Sequence, residues 1–260
     1  ALAEQPVVTG AELAEASIAA ALRVVRDELN SRFGTNNDDL SLAILALGKL
    51  GGRGLDYDSD LDLILVYDDS AVTGAAVTNS EYYSRAAELF VTVLSSMTRD
   101  GNLYRVDLRL RPYGSKGMSA ISGESFINYI RDTAAVWEML AFVKLRAVGG
   151  YQELGSRIES ETRRTIHERA AALNGAELAA ETLRVRLALQ KQRARLRRGT
   201  DVDIKYGSGG MLDIYFAMRY LQLRDDVPDD ADDRSTGYML ERLFRSGSLT
   251  EGEYYGLLNG

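Results

Sequence analysis

Two carboxylates separated by one residue, Asp60 and Asp62, stand at the head of an apolar run and follow a loop holding Gly48, Gly51, Gly52 and Gly54. If the run is a strand, its period of two puts Asp60, Asp62 and Ile64 on one face and Leu61, Leu63 and Leu65 on the other. Carboxylates side by side on one face repel unless a cation lies between them. Oxygen-only ligation suits a hard ion such as magnesium, which commonly completes its shell with substrate phosphates. The glycines let backbone N–H groups come close to an anion, and Lys49 adds a point charge beside them. Residue types and spacing together predict metal-dependent phosphate chemistry.

Competing readings of the same stretch are fewer than its acidity suggests. Asp56, Asp58 and Asp60 also read as solvated turn residues, but Asp62 lies inside the apolar run. Asp58, Asp60, Asp62 and Asp69 have the spacing of a calcium loop, yet the sixth position, which must turn sharply as glycine, is Leu63. A Walker-type loop needs Ser or Thr directly after Gly-Lys, and Leu50 stands there. A second chemically rich run, Leu103 to Arg111, alternates so that Arg105, Asp107, Arg109 and Arg111 share a face opposite Val106, Leu108 and Leu110. The guanidinium forks of Arg109 and Arg111 suit phosphate oxygens. The alternative for this face is an ion-paired strand surface, Asp107 with Arg105 or Arg109.

The elements that must position these groups follow from periodicity. A helix is predicted over Ala11 to Arg32, with Leu13, Ile18, Ala21, Val25 and Leu29 near one stripe, Thr9 or Gly10 as cap and Gly34 as terminator. The apolar segment Leu42 to Leu47, the glycine loop and the Asp60–Asp62 segment read as strand, loop, strand. A helix from Asn79 or Ser80 to about Met97, with Tyr83, Ala87, Phe90 and Leu94 buried, returns the chain so that Leu103 to Arg111 joins the sheet. Helices are expected over Glu124 to Arg131 and Ala134 to Val148, the latter with Trp137 in the core and with Lys144 and Arg146 in a basic stretch that faces either nucleotide phosphate or solvent. Gly149-Gly150 marks the expected domain boundary, giving 1–150 and 151–260, and long charged helices follow over Tyr151 to Leu173 and Ala176 to Arg198. In the second of these, Leu178, Val185, Leu189 and Leu196 form an apolar seam. Its basic run, Arg184, Arg186, Lys191, Arg193, Arg195, Arg197 and Arg198, reads as a solvated helix end. His167 reads as a surface residue, and Asp225 to Asp233 as a mobile acidic loop.

Bulk properties narrow the class. A formal net charge of −7 argues against a nucleic-acid substrate. With no Cys and a single His, thiol nucleophiles, disulfides and cysteine or multi-histidine metal sites are excluded. No run has the length of a signal or membrane-spanning segment, so a cytoplasmic location without membrane partners is expected.

Gly48-Lys49, a spacer, then Asp60-Leu61-Asp62 resembles the signature of the polymerase-β-type nucleotidyltransferase superfamily. The longer string GKLGGRGLDYDSDLDL is similar to a narrower group, the bifunctional glutamine synthetase adenylyltransferase/adenylyl-removing enzymes, as are VDLRLRPYG at Val106 to Gly114, WEMLAFVKLRAVGG at Trp137 to Gly150 and DIKYGSGGMLDIYF at Asp203 to Phe216. The resemblance implies an α+β fold, a polymerase-β-like nucleotidyltransferase domain built on a small mixed sheet with flanking helices, followed by an all-α domain that closes over the nucleotide cleft. It implies one catalytic half of a longer enzyme, and the chain end after the short helices from Thr236 reads as that of a piece. Asp107 matches the third carboxylate of the metal site, so that Asp60, Asp62 and Asp107 hold two magnesium ions. Gly48, Lys49, Gly51, Gly52, Ser59, Arg109, Arg111 and Lys205 become the nucleotide-contacting set. The implied reaction moves AMP from ATP to a tyrosine hydroxyl of glutamine synthetase; the alternatives are phosphorolytic removal of that AMP to give ADP, and a catalytically silent docking module. PII protein and glutamine are the implied regulators. Tyr215 stands where the family usually has Glu, Arg219 where it often has Gln, and Gly54 where a larger residue is usual.

Overall fold

In the computed structural model, which describes residues 8–71, 73–99, 101–196, 203–231 and 233–259, the chain opens with α1 (Gly10–Phe33). Thr9 caps it as the sequence predicts: its hydroxyl accepts the Glu12 N–H while the Glu12 carboxylate accepts the Thr9 N–H at 2.8 Å. Two otherwise orphaned helix-start donors are thereby satisfied. Gly34 ends the helix in the left-handed conformation, φ 63°. Ala14, Ile18, Val25 and Leu29 are buried along its inner stripe.

Three strands and a one-turn helix then set out the chemistry. β1 (Leu42–Ala46) passes through α2 (Gly48–Gly51) into β2 (Leu61–Tyr67), and after α3 (Asn79–Ser95) comes β3 (Val106–Asp107). β4 (Ile121–Ser122), α4 (Gly123–Asp132), α5 (Val136–Phe142) and β5 (Arg146–Gly150) follow. The sheet order is β3-β2-β1-β5, with β4 also on β2. β1 is antiparallel to β2 and β5, whereas β3 and β4 run parallel to β2, which makes the sheet mixed. Every residue of β1 is buried, as expected of a central strand covered on both faces. α1 and α3 supply one cover, with Tyr82, Tyr83, Phe90 and Leu94 in the same apolar cluster as Leu42, Ile44 and Leu63. Burying a side chain such as Phe90 or Leu94 contributes about 1.5–3 kcal/mol. Tyr67 and Tyr83 stack with ring centroids 4.7 Å apart.

Two expectations change here. The strand over Leu103 to Arg111 is confined to Val106–Asp107, because Arg111 turns back to donate to the Leu108 carbonyl at 2.8 Å and the Gly117 carbonyl at 3.2 Å, wrapping the chain into a loop. The helix expected over Ala134 to Val148 stops at Phe142, and Arg146–Gly150 becomes β5 instead. Pairing with β1 overrides helical periodicity, and Gly149 and Gly150 allow it: a Cβ at Gly149 would lie 2.8 Å from Ile18 Cγ2, and one at Gly150 2.0 Å from the Leu42 carbonyl oxygen. The glycine pair is thus part of the sheet.

The chain divides into two compact units that interleave, where a single cut at residue 150 was expected. Unit 1 takes the described residues up to Tyr129 together with Lys144–Glu161; unit 2 takes Ile130–Val143 and the described residues from Thr162 onward. α6 (Gln152–Ala172) belongs to unit 1 as far as Glu161. The later elements are α7 (Gly175–Leu196), α8 (Met211–Arg224), α9 (Thr236–Arg245) and α10 (Glu251–Asn259). Met218, Val227, Met239, Leu240, Leu243 and Leu249 form the apolar cluster that joins the last three. Among the described residues no helix is long and apolar enough to cross a membrane.

Candidate active site

The turn out of β1 is built under a carboxylate. Leu47 donates its N–H to the Asp62 carbonyl at 2.9 Å, which folds the loop back along β2. Gly48 adopts φ 55°, and a Cβ on it would lie 2.2 Å from Asp62 Oδ2. Only a residue without a side chain fits beneath that carboxylate. On the other side of β2, Asp62 is the register partner of Asp107 in the parallel pair with β3. Residues paired in this way point to the same face on strands about 4.8 Å apart. The sequence expectation that a neighbouring strand brings Asp107 to Asp62 corresponds to this register.

Asp60 immediately precedes β2 and is held by Arg105, whose Nε donates to Asp60 Oδ1 at 2.6 Å and whose Nη1 donates to Asp58 Oδ1 at 3.1 Å. These bonds raise the Arg105 pKa, the Asp60 hydrogen bond most of all. Arg109 grips Asp107 similarly: Nε donates at 3.0 and 2.9 Å, Nη2 at 2.5 Å and the backbone N–H at 2.8 Å. The Arg109 side-chain bond holds the Asp107 carboxyl below the usual carboxylate range, against the opposing effect of partial burial. The ion-paired surface weighed from the sequence is therefore present, superimposed on the Asp62–Asp107 pairing.

Among the described residues no group of three or more His, Cys, Asp or Glu side chains is gathered as a metal site. The donor chemistry nevertheless fits a hard cation, since Asp60, Asp62 and Asp107 offer only carboxylate oxygens. Two of them are adjacent by strand register, and Asp60 and Asp107 are each paired with an arginine.

The nucleotide-contacting set expected from the sequence separates into different roles. Lys49 Nζ lies 2.5 Å from Asp56 Oδ2 and 3.3 Å from Ser59 Oγ, so Lys49 and Ser59 brace the loop between α2 and β2. Gly51 and Gly52 pack against Lys144, which approaches from just before β5. Arg146, placed on a basic helix face from the sequence, is instead buried: Nη2 donates to Glu15 Oε1 at 2.6 Å and to the Leu50 carbonyl at 2.9 Å. Arg111 is committed to its own loop carbonyls.

Lys205 belongs to unit 2, in a loop with its own construction. Asp203 Oδ1 accepts from the N–H groups of Lys205 at 3.1 Å and Tyr206 at 2.9 Å. Asp213 Oδ2 accepts from Gly209 N–H at 2.6 Å. Arg186 ties the loop to α7, with Nε 2.6 Å from Asp213 Oδ1 and Nη2 donating to the carbonyls of Tyr206 and Gly207 at 3.1 and 2.9 Å. Arg193 adds an ion pair to Asp203 at 3.7 Å. The basic run of α7 is thus no simple solvated helix end. Leu178, Thr182 and Arg186, at four-residue spacing, are buried, while Arg184 pairs with Glu181 at the surface. The side chain of Arg195, and Arg197, Arg198 and Asp201 entirely, lie outside the described residues.

Three further expectations for unit 2 are corrected. His167 is buried and its Nδ1 lies 2.8 Å from Asp226 Oδ1. The acidic stretch after α8 is anchored: Asp229 is buried against Arg219, and Arg242 donates to Asp230 at 2.6 Å; Asp232 lies outside the described residues. Trp137 is 39% exposed and is not a core residue. Two of the three family departures, Tyr215 and Arg219, form one assembly, in which the fully buried Arg219 guanidinium lies over the Tyr215 ring at 5.4 Å and donates to Gln222 Oε1 at 2.6 Å.

The family described as glutamate-ammonia ligase adenylyltransferase matches residues 5–161. The chain is similar to the bifunctional glutamine synthetase adenylyltransferase/adenylyl-removing enzyme of Methylococcus capsulatus, 34% identical over 93% of this chain and 26% of that protein. Its counterpart from Shewanella woodyi is 34% identical over 91% and 25% of the two chains, and that from Bradyrhizobium diazoefficiens 33% over 96% and 25%. The chain spans about a quarter of the length of the curated relatives it matches.

Proposed function

The chain belongs to the glutamate-ammonia ligase adenylyltransferase family, and on that premise we propose that unit 1 carries out nucleotidyl transfer, moving AMP from ATP to a tyrosine hydroxyl of glutamine synthetase. The observation that carries this reading is the parallel register Asp62 to Asp107 directly beside a glycine turn that leaves no room for a side chain under Asp62. Asp60, Asp62 and Asp107 would hold two magnesium ions, which when bound supply charge neutralisation at the triphosphate and acidify the acceptor hydroxyl. The chain's own contribution is alignment. The loop from Gly48 to Gly52 sets the phosphate path, and Arg109, forked on Asp107, stands one side chain away with donors suited to phosphate oxygens. Fixed donors around a transferring phosphoryl group act mainly by positioning and charge stabilisation.

The test uses this chain, purified glutamine synthetase, magnesium and ATP labelled in its AMP moiety. Label appearing on the synthetase with release of pyrophosphate supports the adenylylating direction, and its loss in Asp62→Asn ties it to this site. A parallel reaction of adenylylated synthetase with phosphate reads the adenylyl-removing reaction, in which ADP is formed. Product in neither, together with ATP binding that is indifferent to magnesium, overturns the proposal.

A further inference from the structure

A cavity of about 410 Å³ opens in unit 1 beside Asp60, between the loop 55–59, the segment 102–105 ahead of β3 and the start of α1. Its walls are fixed. Arg105 spends its fork there, with Nε donating to Asp60 Oδ1 at 2.6 Å, Nη1 to Asp58 Oδ1 at 3.1 Å and Nη2 to the Asp58 carbonyl at 2.9 Å. Asp58 is thereby held in the left-handed region, φ 59°, a conformation that a residue with a side chain keeps only when its surroundings impose it. Gly10 closes α1 onto the loop: a Cβ on it would lie 2.5 Å from the Leu55 carbonyl oxygen. Three apolar side chains from three chain segments line this cavity and stand in solvent, Tyr57 fully exposed, Leu103 65% and Leu13 57% exposed. The sequence places Leu13 on the inner stripe of α1; in the structure it lines the cavity instead.

We propose that this cavity receives the tyrosine-bearing segment of the protein acceptor, with Leu13, Tyr57 and Leu103 as its apolar contacts. The inference rests on the nucleotidyl-transfer reading of the site. Position is the first argument for this occupant. Leu61 donates its N–H to the Arg105 carbonyl at 2.8 Å, and Leu47 donates to the Asp62 carbonyl at 2.9 Å, so the cavity segment and the glycine turn flank the Asp60–Asp62 segment on opposite sides. Phosphoryl transfer sets the entering and leaving oxygens roughly in line. A nucleotide on the Gly48 flank is therefore met by an acceptor arriving from the Arg105 flank. Charge is the second argument. Among the described residues lining the cavity Arg105 is the single cation, and it is committed to Asp58 and Asp60, while Asp56 is matched by Lys49. A triphosphate finds no unspent positive charge there, whereas a neutral aromatic side chain finds apolar partners. Exposed apolar groups rimmed by polar ones mark protein–protein contacts, in which tyrosine is enriched.

The test measures KM for glutamine synthetase, adenylylated or not according to the direction the chain catalyses, beside ATP affinity in magnesium by calorimetry. Tyr57→Ser and Leu103→Ser are each expected to raise that KM about fivefold, and Leu13→Ser combined with Leu103→Ser about tenfold, with ATP affinity changed by less than about twofold. Val24→Ser, which alters an exposed apolar residue of α1 outside the cavity, is the control and should leave KM unchanged. Because the chain has no Cys, Tyr57→Cys accepts a single photoreactive label, which reads the same contact without turnover. Crosslinking to the synthetase peptide that holds the acceptor tyrosine is the expected result, and crosslinking only to remote peptides overturns the assignment. A KM within about twofold of native in all the cavity variants also overturns it while leaving the nucleotide site standing. So does a loss of ATP affinity in place of the KM change, which would give the cavity to the nucleotide. A native chain that transfers no label in either direction and binds no ATP in magnesium removes both the site and the assignment.

Discussion

Gly48→Ala separates the geometry of the carboxylates from the stability of the fold. At φ 55° an L-residue with a Cβ costs about 1–2 kcal/mol in backbone energy. The larger consequence is local. The new Cβ would stand 2.2 Å from Asp62 Oδ2, about 1.3 Å short of the roughly 3.5 Å at which a carbon makes favourable contact. The Asp62 carboxylate must swing away from the turn, or the turn must leave β2, and both movements disturb the Asp62–Asp107 pairing. A displacement of about 1 Å in a positioned group can lower turnover by about 100-fold. The backbone cost alone lowers Tm by roughly 2–8 °C in a chain of this size. The assay is thermal melting beside magnesium-dependent transfer of labelled AMP, with ATP affinity measured separately. Turnover falling by two orders of magnitude while the chain melts only a few degrees lower is the expected result. A variant with native turnover would show that the turn beneath Asp62 does not set the carboxylate position, and the argument from the glycine would fail.

Arg109→Leu tests the Asp107 pairing through pH. Arg109 holds the folded carboxyl below its ordinary value, so the pair stabilises the folded chain above the unfolded carboxyl pKa of about 3.9 and is lost as pH falls through the lower, folded value. The variant should titrate Asp107 at a higher pH by carbon NMR, and an unchanged midpoint would refute the coupling. In unit 2, Asp229→Ala leaves the fully buried Arg219 guanidinium without its carboxylate partner 3.3 Å away and is expected to destabilise by about 3–5 kcal/mol, whereas Arg219→Met with Asp229→Leu should lose far less. Denaturant unfolding of the single and double variants measures the difference; equal losses would show that the buried charge is compensated elsewhere.

What the sequence made legible was the chemistry nearest in the chain, because a strand and its turn are specified locally. The Asp60–Asp62 alternation, the glycine turn and the cap of α1 all follow from side-chain period and backbone freedom within a few residues. Asp107 was found by resemblance, and its pairing with Asp62 needed the sheet, since a parallel strand reached through α3 has no local signature of register. Sequence order alone failed where a charged residue serves the interior. Arg186 lies on the same stripe as Leu178 and Thr182, yet its charge disguised an inward position whose true partners, Asp213 and the carbonyls of Tyr206 and Gly207, come from beyond α7. His167 and Arg146 were misplaced for the same reason: each is buried with a carboxylate from a distant segment, and a buried charge is tolerated only when such a partner exists. The helix expected through Lys144 failed on the opposite count. Its periodicity was real, but the edge of β1 offered unpaired backbone groups, and Gly149 and Gly150 could lie close enough to satisfy them. That exchange of helix for strand is also what brings Lys144 to Gly52, so the element misread from periodicity is the one that completes the turn.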